Sequence, residues 1–157
     1  MSADVTVERV SQSEDLDAVA ALEAASFTNP WTREMLDREL RQSNVARVYV
    51  LRTEGIRVAA FCACWVVHDE LHVNTIAVQA DLRRRGLATV LMRQLLDAVA
   101  QEGVTRAYLE VRQSNVPAQR LYESLGFALA GVRRHYYSHP EEDALVLVRH
   151  LEPAPAM

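Results

Sequence analysis

The run Thr75-Ile76-Ala77-Val78-Gln79-Ala80-Asp81-Leu82-Arg83-Arg84-Arg85-Gly86-Leu87-Ala88-Thr89 reads as strand, short loop, glycine turn and helix start, and it sets the fold class. Downstream, Leu87, Val90, Leu91, Leu95, Ala98 and Val99 recur at helical spacing and form one apolar stripe. The spacing predicts a helix from about Leu87 to Gln101, stopped by Gly103. A helix start presents free backbone N–H groups and the positive end of a dipole, which suits phosphate. Gly86 lets a ligand approach the backbone, and Ala88 keeps that surface low. The run lacks the three glycines of G-x-G-x-x-G and the G-K-[ST] ending of a P-loop. Taken alone, R-x-x-G-x-A is served equally well by an ordinary helix start.

Working outward, Ser13 with Glu14 and Asp15 predicts a helix running towards Ala25, and Thr32 can cap a second one carrying Met35, Leu36 and Leu40. Arg47–Leu51, a turn at Glu54-Gly55 and Val58–Val67 fit a hairpin. Further strands are expected at His72–Val78, Ala107–Val111, Phe127–Arg134 and Ala144–His150, with a helix at Pro117–Leu125 ended by Gly126. Strands and helices mix throughout, so the expected architecture is a single α/β domain over residues 1–151. It has a mixed central sheet of about six or seven strands with helices on both faces. Residues 152–157, with two prolines and no periodicity, are expected to be a disordered tail.

The chain has 157 residues, half of them hydrophobic, which suffices for one packed core. No apolar run approaches the roughly 20 residues of a membrane span, and residues 1–10 lack the basic and apolar order of a signal peptide. A cytoplasmic protein is expected, with no membrane partner. The net charge of −4 argues against binding nucleic acid, while the clusters Arg83–Arg85 and Arg133–Arg134 suit a small anion. Cys62 and Cys64 alternate in an apolar segment and read as small core residues, and the five histidines are scattered, so no metal site is expected.

R-x-x-G-x-A between an I-A-V strand and a long amphipathic helix resembles the acetyl-CoA loop of the GNAT N-acetyltransferase superfamily. Leu109-Glu110-Val111-Arg112, Ser114-Asn115, Ala118 and Leu121-Tyr122-Glu123-Ser124-Leu125-Gly126-Phe127 are similar to its second cofactor region. Arg133-Arg134-His135-Tyr136-Tyr137, with Glu142-Asp143-Ala144, narrows the resemblance to N-terminal protein acetyltransferases, most closely the RimI-type ribosomal-protein-alanine N-acetyltransferases. Asn29-Pro30-Trp31-Thr32 is similar to the proline-tryptophan step of that group. The resemblance implies that Ile76, Ala77 and Val78 hold the pantetheine arm, that Arg84, Arg85, Gly86, Leu87, Ala88 and Thr89 hold the pyrophosphate, and that Asn115 contacts coenzyme A. It implies Glu110 as general base, Tyr122 as general acid, and Trp31, Tyr136 and Tyr137 around the acceptor. Alanine stands at position 88 where many members have glycine; the superfamily accepts both.

The chemistry makes matching demands. An α-amine, with a pKa of about 7.7–8.0, must lose a proton before it attacks, and a carboxylate can take it directly or through a water. A tyrosine hydroxyl can protonate the departing thiolate, and backbone N–H groups near Val78 can hold an oxyanion. Each residue also has a plainer reading. Glu110 fits the solvent face of a strand, Tyr122 a core position, and Asn115 a helix cap. Trp31 fits a hydrophobic anchor, and Tyr136 and Tyr137 ordinary strand residues.

The expected activity is therefore acetyl transfer from acetyl-CoA to the N-terminal amine of a protein, a ribosomal one with a small first residue such as alanine, by a monomer. A lysine side chain or small-molecule amine as acceptor is the alternative within the fold. A non-catalytic coenzyme A-binding module is the alternative outside it.

Overall fold

A computed structural model describes residues 5–10, 13–138 and 140–152. The chain runs β1 (Thr6–Arg9), α1 (Ser13–Ser26), α2 (Arg33–Gln42), β2 (Ala46–Thr53), β3 (Ile56–Val67), β4 (Glu70–Val78), a 3₁₀ turn (Ala80–Leu82) and α3 (Leu87–Gln101). It continues through β5 (Arg106–Arg112), α4 (Val116–Ser124), β6 (Ala128–Tyr137) and β7 (Glu142–His150). The strands form one 7-stranded sheet in the order β1-β2-β3-β4-β5-β7-β6. Every neighbour is antiparallel except β4 and β5, the pair joined through α3. The expected mixed sheet is present, and its seventh strand is β1. The tail expected at 152–157 falls, from residue 153 on, outside the described residues.

Alternation along β2 divides the interior in two. Val48 and Val50 meet Leu16, Val19 and Leu22 of α1 and Leu36 of α2 on one face. Tyr49 and Leu51 join Leu91, Met92, Leu95, Leu96 and Val99 of α3 on the other, together with Tyr122 of α4. Burial of each such leucine or valine contributes about 1.5–3 kcal/mol against the entropy of ordering the chain. β3 lies between the two layers and is accordingly apolar on both sides. Cys62 and Cys64 are free and buried in the α3 layer; Cys64 alongside and burial push the Cys62 thiol well above its usual range, so it stays protonated.

Local chemistry sets the element ends. Thr32 Oγ1 accepts from the Met35 N–H at 3.2 Å and starts α2. Asp15 of α1 is buried and held by Arg52 at 2.8 Å and Arg57 at 3.1 Å, tying α1 to β2 and β3. No described helix is long and apolar enough to cross a membrane.

Candidate active site

β4 and β5 run together only from Glu70↔Arg106 to Val73↔Leu109. On the other edge of β4, Ala63 pairs with Thr75 while the next residue, Cys64, pairs with Val73, so Asn74 is an extra residue in the strand. Such a bulge bends its strand, and here it sits where the parallel pairing ends. Beyond it, Thr75–Val78 keep their partners on β3 but have none on β5. One edge of the Ile76-Ala77-Val78 backbone is thereby left without a strand partner at the centre of the sheet, and the Val78 carbonyl accepts from Arg83 Nε at 3.3 Å.

α3 starts beside this opening. Gly86 caps it at φ 76°, in the left-handed region, with no side-chain cap on the first-turn N–H groups. A Cβ built there would meet nothing within 4 Å. Arg84 also has positive φ, at 66°, a strained state for a non-glycine residue. Arg84 and Arg85 are exposed, while Leu87, Ala88 and Thr89 form the half-buried first turn. A strained, uncapped helix start ringed by arginines is a fitting place for a pyrophosphate.

Glu110, on β5 between buried Leu109 and Val111, faces the α1–α2 side without being a solvent-face residue. Its side chain is 10% exposed, and both oxygens are engaged: Oε2 lies 2.7 Å from His72 Nε2, and Oε1 accepts from Arg133 Nη1 at 3.1 Å. His72 stacks on Tyr108 at 4.5 Å and meets Trp65 edge-on at 5.5 Å, which fixes its ring.

Tyr122 is buried and packs edge-on against Phe127 at 5.7 Å, yet its hydroxyl finds no hydrogen-bond partner among the described residues. Burial, with Cys62 and Tyr137 close by, pushes its phenol well above the usual tyrosine range. Cys62 is the register partner of Ile76, so Tyr122 stands near the open stretch of β4. Tyr137 links the two groups. Burial, then neighbouring Tyr136 and Glu110, raise its pKa, and the Arg112 guanidinium lies 4.2 Å above its ring. Tyr136 packs edge-on against Tyr137 at 5.0 Å and lies beneath Arg133.

Asn115 does cap α4, its Oδ1 accepting from the Ala118 N–H at 3.2 Å. Trp31 stands at the lip of a cavity of about 230 Å³ between α1, α2 and the sheet, whose lining includes neither Tyr136 nor Tyr137. Reading the sequence assigns no role to His72, and it marks Arg133 for a small anion where the structure pairs it with Glu110. The signal for His72 is the shared alternation Leu71-His72-Val73 and Leu109-Glu110-Val111, which puts His72 and Glu110 on one face once the two strands are taken as parallel neighbours.

The pattern of the acetyltransferase (GNAT) family matches residues 16–127. The chain is 36% identical over 140 residues to the [ribosomal protein bS18]-alanine N-acetyltransferase of Escherichia coli K12, covering 87% of this chain and 91% of that one. The crystal structure of the Escherichia coli ribosomal-protein-S18-alanine N-acetyltransferase superposes with a TM-score of 0.84 at 34% identity, covering 97% of both chains. Arabidopsis thaliana NAA60, solved in complex with acetyl-CoA, shares the fold with a TM-score of 0.78 at 16% identity, covering 94% and 98% of the two chains.

Proposed function

Because the chain belongs to the GNAT acetyltransferase family, we propose that it transfers the acetyl group of acetyl-CoA to the N-terminal amine of a ribosomal protein with a small first residue. The observation that carries this reading is the Glu110–His72 pair at 2.7 Å, set beside the split between β4 and β5. The open edge of Ile76, Ala77 and Val78 suits an extended pantetheine arm, while Arg84 to Thr89 and the start of α3 hold the pyrophosphate. Asn115 completes the coenzyme A contacts from the start of α4.

Acetyl-CoA supplies an activated thioester carbonyl, and the residues supply proton handling. His72, wedged between Tyr108 and Trp65, orients the Glu110 carboxylate through Oε2. Oε1 is held by a half-exposed Arg133, a partner that an incoming amine can displace. Glu110 takes the amine proton, directly or through a water, and the neutral amine attacks the thioester carbonyl. Backbone N–H groups near Val78 hold the oxyanion. As the C–S bond breaks, Tyr122, kept protonated by its burial, donates to the departing sulfur. Trp31, Tyr136 and Tyr137 flank the acceptor. Base, acid, phosphate loop and flanking aromatic residues all come from one chain, so the proposed working unit is a monomer, and the proposed location is the cytoplasm.

The test is acetyl transfer to short peptides differing in their first residue, with an N-terminally blocked peptide as control and mass spectrometry to locate the acetate. The α-amine of peptides with small first residues should be modified. Acetate found mainly on lysine side chains would overturn the reading.

A further inference from the structure

The cavity under Trp31 holds a group that the proposed chemistry does not use. Glu23, on α1, is 4% exposed and lines it. One carboxylate oxygen accepts a long, 3.3 Å hydrogen bond from the Trp31 N–H; the other has no partner among the described residues. Burial raises the pKa of this group, the Trp31 N–H only partly offsetting it. A second carboxylate, Glu39, lines the same cavity and accepts from Trp65 Nε1 at 3.1 Å. Arg47 contributes to the wall, but its guanidinium is committed to Tyr49 at 3.0 Å and Glu102 at 2.8 Å. The cavity thus combines two acids and two indole rings with a single cation already paired elsewhere.

We infer that this cavity is a pocket for a cationic side chain, preferably arginine, carried by the acceptor chain a few residues after its reacting amine. A guanidinium fits both features: its planar fork can bond the unpartnered Glu23 oxygen while its face rests on an indole. The position selects the acceptor chain as the source. Trp65 of the cavity wall touches His72 edge-on at 5.5 Å, and His72 lies 2.7 Å from Glu110, so the cavity is about one side chain away from the base. An extended chain advances about 3.3 Å per residue, so an amine at Glu110 places an early side chain there. Proteins that bind a polyanion such as ribosomal RNA are rich in arginine and lysine. The inference rests on the proposed N-terminal acetylation for its acceptor, but the pocket has a readout of its own.

The chain's 2 tryptophans, Trp31 and Trp65, both line the cavity, so intrinsic fluorescence reports what enters it. Two peptides are compared, identical except for arginine or its neutral isostere citrulline at the second and third positions. The arginine peptide should perturb the fluorescence at about 10–100-fold lower concentration and show a matching advantage in kcat/KM, mostly through KM. Glu23→Gln should bring both ratios close to one. Should that variant fail to fold, Ala63→Leu, which fills the cavity from β3, must erase the same discrimination. Equal response to the two peptides, or discrimination that survives in Glu23→Gln, overturns the pocket. So does a free polyamine that binds as well as the arginine peptide and is itself acetylated. Charge-dependent quenching without any acetyl transfer would instead uphold the pocket and sink the proposed reaction.

Discussion

Glu110→Gln should leave the fold and the cofactor affinity largely intact while lowering kcat by about 10²–10⁴-fold, roughly 3–5 kcal/mol of barrier. The structure separates the two effects. Gln has the same length, and its amide oxygen can still accept from one of the two present partners, His72 Nε2 at 2.7 Å or Arg133 Nη1 at 3.1 Å. The other contact is lost, at about 1–3 kcal/mol, and Arg133 softens that loss because its half-exposed guanidinium turns to water. A domain of this kind has about 5–15 kcal/mol in hand, so the variant stays folded and its melting point falls by only about 2–10 °C. What it cannot do is accept a proton. The assay is steady-state acetyl transfer to a free-amine peptide from pH 6 to 9, beside calorimetric titration with acetyl-CoA. Over that interval the neutral fraction of an α-amine rises about 60-fold, so the gap between wild type and variant should shrink as pH rises. Near-normal turnover of the variant across the whole interval would refute Glu110 as the base.

Gly86→Val should abolish measurable acetyl-CoA affinity in calorimetry, because a β-branched residue at φ 76° is strained and its side chain would fill the open space over α3. Unchanged affinity would put the phosphate loop elsewhere. Tyr122→Phe keeps the edge-on contact with Phe127 and removes only a hydroxyl without a partner, so stability should hold while kcat drops at least tenfold. The raised pKa of Tyr122 means that its contribution to stability is complete below about pH 10, the unfolded value, and is lost above it. Melting points of the Phe variant should therefore decline less than wild type in strong alkali. Asp15 behaves in the opposite sense. The Arg52 hydrogen bond lowers its pKa, outweighing burial, so its contribution is present above about pH 4 and is lost as pH falls further. Asp15→Asn should cost about 2–4 kcal/mol at neutral pH in urea unfolding and flatten the acid limb; an unchanged acid limb would show that other carboxylates govern it.

The sequence was most informative where one segment carries its own signal. α3 occupies Leu87–Gln101, as its stripe and flanking glycines predict, and the Thr32 and Asn115 caps follow from side chains next to the amides they serve. β1 escaped detection because Thr6–Arg9 is too short and too exposed to show a period; pairing with the edge of β2 defines it. Glu110 was legible as a residue but not in its surroundings. Its partners lie 38 and 23 positions away, on β4 and β6, and only the register of the sheet joins them. The bulge at Asn74 is equally silent in the sequence, since it exists only relative to β3. Glu23 reads as one acid among several on a helix until the packing of α1 buries it.

The short pairing of β4 with β5 also bears on how the molecule assembles and moves. The sheet order puts every strand from the first half of the chain, β1 to β4, on one side of that seam and every strand from the second half on the other. The covalent chain crosses it once, through the segment that contains α3. Each side is a candidate cooperative unit, and α3, which packs mainly on β1 to β4, lies on the one covalent link between them. Hydrogen exchange should then show two blocks of strand amides with separate opening energies, the seam yielding before either interior. A chain cut in the turn at Gly103 leaves two pieces that each keep a contiguous set of strands, and their ability to reassociate measures how much of the fold the covalent link supplies.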